Sequence, residues 1–170
     1  MEKILRLHWS VHFAASILLS IGMSVVFNGN GETRLLATCL FATHWMVYVL
    51  AIGSETQLRI SNRIDYSFTL FQFNWAITIL FIILLILATY VFEQKSFHFN
   101  GLQALPGFYI MFALLYTFLY STRNLKTVEK GERVTFGESI GAAMLLIFYP
   151  FNFLFIHKRV QKVLDKPIVR

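Results

Sequence analysis

The chain has 170 residues, 56% of them apolar and 14% charged, with a net charge of +6 and eighteen phenylalanines. Soluble domains carry about 25% charged residues, so this composition excludes an ordinary soluble fold. The lysines and arginines flank apolar runs and do not alternate with aromatics on a soluble face; this argues against a nucleic-acid partner and for a bilayer with anionic headgroups.

A span needs about 20 apolar residues to cross about 30 Å of hydrocarbon. Residues 11–27 (VHFAASILLSIGMSVVF) form the first predicted span. The basic start is not followed by a small-residue cleavage site and a soluble body, so this run is read as a span and not as a removed signal peptide. Ser16, Ser20 and Ser24 recur on it every four residues, with Ala15 and Gly22 nearby. Small residues at this spacing let two helix backbones approach closely, so this face is predicted to make the closest helix–helix contact, within the chain or in a homo-oligomer. His8 and His12 share a face near the cytoplasmic end.

NGNGET turns the chain into a second span, 35–53, which carries His44 near its middle and Cys39 and Tyr48 about one turn away. A histidine at that depth would ligate haem, relay protons or touch a quinone. The commoner role is one hydrogen bond to a neighbouring helix. A b-type haem needs a second histidine at matching depth, and His98 and His157 fall outside the predicted spans, so no cofactor is predicted. A single cysteine, Cys39, excludes an intramolecular disulfide and any CxxC metal or redox motif.

The third span, 66–92, has no formal charge. At about 1.5 Å per residue it reaches roughly 40 Å, so it tilts or projects from the bilayer. It begins polar. Asp65, three residues after Asn62, suits the positive end of the helix dipole. Gln72 and Asn74 are predicted to face other helices or a wet cavity, as the wall of a small polar pocket open to the cytoplasm. The fourth span, 102–120, has Pro106 in its first turn, where a missing N–H costs little. Trp9, Tyr109, Tyr120 and Tyr149 read as interfacial aromatics, and Trp45 and Trp75 as packing residues.

The apolar stretch 139–156 is long enough to cross, but charge argues against it. Arg123, Lys126, Lys130 and Arg133 precede it, and Lys158, Arg159, Lys162, Lys166 and Arg170 follow. If it crosses, basic residues divide eight against seven across the membrane; if it does not, thirteen against two. The positive-inside rule selects the second arrangement, and Pro150 and Asn152 suit a broken element. The predicted fold is therefore an all-α integral membrane bundle in a single domain. It has four transmembrane helices, a re-entrant or interfacial hairpin over 135–157, and both termini in the cytoplasm; five spans are the alternative. The basic residues 123–133, with Lys158, Arg159 and Lys162, are predicted to meet anionic headgroups or an acidic partner. Before the hairpin, Thr135-Phe136-Gly137-Glu138 matches the capping box T-x-x-E. The alternative makes Glu138 a carboxylate at the mouth of the hairpin that relays protons or binds a cation.

The sequence has no HExxH, GxSxG, Walker, GxGxxG or aspartate-rich metal motif. From the basic segment (STRNLKTVEKGERVTFGES) through FYPFNFLFIHKRVQKV, the last third resembles the C-terminal part of small bacterial multi-span proteins with no assigned activity. The tail here reads HKRVQK where that family has a Gln-Pro-Arg-like step. The resemblance implies a bacterial inner membrane and no particular function. The expected role is a non-enzymatic membrane component that associates with itself or with a membrane protein partner and presents a basic cytoplasmic face. Alternatives are an oligomeric pore or membrane-perturbing effector, or a redox or lipid-modifying enzyme built on His44 and the polar start of span three.

Overall fold

Apolar runs free of helix breakers propagate as α-helix in hydrocarbon, where each backbone polar group must be satisfied within the protein. The computed structural model describes residues 1–168 apart from 8, 19–30, 61–63, 65, 91–100 and 149–152; the regular structure among these is helical, with no strand. Helix α1 covers Glu2–Leu5, α2 Trp9–Ile17, α3 Gly31–Gln57, α4 Phe68–Tyr90, α5 Leu105–Lys130, α6 Phe136–Ile147 and α7 Phe153–Leu164. Three stretches, Leu35–Gln57, Phe68–Thr89 and Leu105–Lys130, are long and apolar enough to cross a membrane. They correspond to predicted spans two to four. Helix α2 begins the first predicted span, the remainder of which lies outside the described residues, as do Pro150 and Asn152.

One boundary differs from the sequence expectation. Helix α5 does not end near Tyr120; it continues to Lys130, so Arg123, Lys126 and Lys130 stand on its last turns and not in a loop. Burial explains the extension, because Thr122, Asn124, Leu125, Thr127 and Val128 all face the interior. The stop signal is Gly131, at φ 75°, whose N–H closes the helix on the Thr127 carbonyl. A left-handed C-cap of this kind suits glycine, which has no Cβ to clash.

Helices α3, α4 and α5 pack against one another, α6 lies along α5, and α7 touches α1, α2, α3, α5 and α6. The core they enclose includes Tyr48, Ile52, Phe71, Phe118, Leu125 and Leu146, joined by Leu5, Ile156, Val160 and Val163. Outward, α4 presents Phe73, Leu80, Ile83 and Leu84, and α5 presents Phe108, Met111 and Phe112. An exposed apolar surface this continuous needs a covering.

Both chain ends meet at the C-terminal end of α3. The Met1 ammonium lies 3.9 Å from Glu55, and Glu2 lies 3.6 Å from Arg59. Arg6 reaches Asp165 at 3.5 Å and the Leu164 carbonyl at 3.4 Å. Helix α5 ends there too, for Arg159 on α7 pairs with Glu129 at 2.5 Å, and α6 starts there, with Glu138 2.6 Å from Lys130. Helix α7 descends beside α3, from His157 at Tyr48 (3.2 Å) to Leu164, whose carbonyl accepts from Arg59 (3.4 Å). We refer to this as the polar end.

Candidate functional site

The polar end is organised around Arg59. Two residues beyond α3, its guanidinium is only 2% exposed, and it pairs with Glu55 at 3.1 Å and Glu2 at 3.6 Å. It also donates to the carbonyls of Glu55 (2.9 Å) and Leu164 (3.4 Å), so one side chain ties α1, α3 and α7. Beside it, Gln57 Oε1 accepts from Tyr120 (2.7 Å) and Asn124 (3.1 Å), and Gln161 donates to the Leu5 carbonyl. Tyr120, read from the sequence as an interfacial aromatic, is buried and its hydroxyl is bonded within the protein.

Helix α6 opens with the capping box. Thr135 Oγ1 accepts from the Glu138 N–H, and Glu138 Oε2 accepts from the Thr135 N–H at 2.8 Å. The Lys130 ammonium, with the Thr135 N–H and hydroxyl, holds the Glu138 carboxyl at a pKa of about 2, below its ordinary 4.5. A depressed carboxyl pKa stabilises the fold above the unfolded value, and the contribution is lost as pH falls towards the folded value. Glu138→Gln retains an acceptor for the Thr135 N–H but loses the charge. Wild type should therefore melt above Glu138→Gln at pH 7, with the gap closing between pH 4.5 and about 2 in detergent thermal-unfolding scans. A gap independent of pH would show that the Lys130 pair adds nothing.

The predicted basic patch divides in two. Arg123 donates to the Val134 carbonyl (2.9 Å) and sits over the Tyr66 ring, 4.1 Å from its centroid. Lys126 donates to the Glu138 carbonyl, Lys130 pairs with Glu138, and Arg159 pairs with Glu129. These cations join α5, α6 and α7. Arg133, Lys158 and Lys162 are exposed and have no ion pair among the described residues.

The polar start of α4 does not form one pocket. Asn74 is fully buried, donating to the Leu70 carbonyl (2.8 Å) and accepting from Tyr109 (3.1 Å), whereas Gln72 is exposed. Residues two apart on a helix point about 200° apart, so the two amides cannot share a wall. Asp65 lies outside the described residues. Ser20 and Ser24 do as well; Ser16 is buried and donates to the His12 carbonyl (2.9 Å). A close approach is seen at Gly53, where an added Cβ would lie 2.4 Å from Phe71 Cζ and 2.9 Å from Ser121 Oγ.

His44 has company that sequence reasoning missed. The His12 ring lies 5.8 Å from that of His44, 5.2 Å from Tyr48 and 6.0 Å from His157. His157 lies outside the three candidate spans, on α7, yet it is buried, bonding Tyr48 through Nδ1 and approaching Gln161 at 3.2 Å through Nε2. The available signal was the spacing Ile156/His157, Val160, Val163/Leu164, which is one face of a helix. His44 Nε2 is buried without a hydrogen-bond partner among the described residues. Among those residues no group of three or more His, Cys, Asp or Glu is placed to hold a metal ion.

No family model, curated protein or solved structure matches this chain. Functional inference therefore rests on this geometry. Asn74 and Glu138, two of the groups able to carry chemistry, are bonded in ways that hold helices together, while Arg133, Lys158 and Lys162 are exposed without an ion pair among the described residues.

Proposed function

We propose that this protein is a non-enzymatic component of a bacterial inner membrane that associates with itself or with a membrane protein partner. It presents a basic cytoplasmic face to anionic headgroups or an acidic surface. The observation that carries the reading is the pair Lys158 and Lys162, exposed on the outer face of α7 while Ile156, Val160 and Val163 on its inner face seal the bundle. With Arg133, they stand at the end where both chain termini lie.

Topology supports placing that end in the cytoplasm. The chain starts at the polar end, α3 runs towards it, α4 leaves it and α5 returns, which gives three crossings. The proposed fourth is the predicted span 11–27, of which residues 19–27 lie outside the described residues. Helix α6 is 12 residues long, about 18 Å, against about 30 Å of hydrocarbon. It starts at the polar end and α7 finishes there, which suits a hairpin that enters and returns. The positive-inside rule then places this basic end inside.

One observation favours a second reading, a redox or proton-handling enzyme: His44 Nε2, buried beside His12 without a hydrogen-bond partner among the described residues. Purification in mild detergent separates the two. The proposed reading expects a homo-oligomer or a stoichiometric membrane partner and no haem band. A monomer that carries haem or quinone would overturn it in favour of the second.

A further inference from the structure

A cleft of about 170 Å³ opens at the polar end between α4 and α5. Tyr66 and Ser67, just before α4, form one wall, Tyr116 and Arg123 of α5 another, and Arg133 of the α5–α6 connection and Phe136 at the start of α6 close it. Two guanidiniums line it, and among the described residues no carboxylate does.

Arg123 is held in place. Its Nε is bonded to the Val134 carbonyl and its plane lies over Tyr66, while its Nη groups make no hydrogen bond among the described residues. Arg133 is exposed and without an ion pair among those residues. Ser67 Oγ accepts from the Leu70 N–H at 3.4 Å, which leaves its hydroxyl hydrogen to donate. The open polar groups of the cleft are thus predominantly donors, and a planar guanidinium fork matches phosphate oxygens in pairs. Leu119 and the exposed Phe136 add an apolar flank. The neighbouring Lys126, Lys130 and Arg159 are already bonded within the protein, so the two guanidiniums of the cleft are set apart from them.

From this arrangement we infer that the cleft binds the phosphate of an anionic phospholipid, Arg123 and Arg133 gripping the headgroup while the flank of Leu119 and Phe136 receives the start of its acyl chains. The inference rests on the membrane placement proposed above. It adds a defined site to a face that would otherwise attract lipid diffusely.

The test uses the full-length protein in nanodiscs with phosphatidylglycerol or phosphatidylcholine, read by native mass spectrometry of retained lipid. Arg133→Gln removes one grip without touching any bonded pair, and the double variant Lys158→Gln/Lys162→Gln samples the diffuse face. A charge-assisted contact predicts roughly tenfold weaker retention of phosphatidylglycerol in Arg133→Gln, no change with phosphatidylcholine, and little change in the double variant. Loss in the double variant alone would overturn the cleft and leave the basic face standing. Loss in neither would overturn both. Inorganic phosphate at millimolar concentration should leave the retained lipid in place; displacement of the lipid, with phosphate alone stabilising the protein, would assign the site to a soluble phosphate and overturn the lipid inference.

Discussion

Arg59→Ala is expected to destabilise the protein by about 3–5 kcal/mol, the range for removing one partner of a buried ion pair. The guanidinium is 2% exposed, and its loss leaves Glu55, itself 10% exposed, with the Met1 ammonium at 3.9 Å as its remaining ion-pair partner. The same change removes one of two donors to the Leu164 carbonyl, leaving Arg6, and cuts the Arg59 links from α3 to α1 and α7. Equilibrium unfolding in detergent would measure the loss, and protease sensitivity should rise first at the two chain ends. Replacing the pair together, Arg59→Met with Glu55→Leu, should recover much of it, because no charge is then left buried. A loss below about 1 kcal/mol in the single variant would mean that the polar end is open to water and Arg59 is not its hub.

Gly53→Leu is expected to prevent α3, α4 and α5 from assembling. Even the first added carbon would stand 2.4 Å from Phe71 Cζ and 2.8 Å from its Cε1. The ring cannot swing away: Phe71 is fully buried and stacks on Tyr120 at 4.4 Å. Ser121 on the third side donates to the Val49 carbonyl at 3.0 Å. Gly53→Ala should cost about 1–3 kcal/mol as overpacking, partly offset by alanine's better helix propensity of about 1 kcal/mol. Phe71→Leu should rescue Gly53→Ala in a double-mutant cycle, since the two positions touch. Wild-type stability in Gly53→Leu would contradict the close approach.

How much of this was legible in the sequence follows from the range of the interactions. The helices read as spans 35–53 and 66–92 were visible because an uninterrupted apolar run has one stable form in hydrocarbon. The capping box was visible because Thr135 and Glu138 are three residues apart and need no tertiary partner. The extension of α5 was hidden because its sequence turns polar at Arg123; the helix continues because Thr122, Asn124 and Thr127 find buried places against other elements. The burial of His157 was hidden, since it depends on α7 folding back along α3. Gln72 and Asn74 were grouped by proximity in sequence, although helix geometry parts them. Gly53 gave no local signal, because a close approach is a property of three helices and not of one.

The central claim is that the polar end, with both chain termini, faces the cytoplasm after four crossings. Single cysteines at Lys3→Cys and Ile168→Cys, each in a Cys39→Ala background, test it by labelling with a membrane-impermeant maleimide in cells and in inverted vesicles. Both should stay unlabelled in intact cells and react in inverted vesicles, while Arg34→Cys, at the opposite end of α3, should react in intact cells. Labelling of one terminal cysteine but not the other in intact cells would contradict the four-crossing arrangement and the re-entrant α6–α7 hairpin with it.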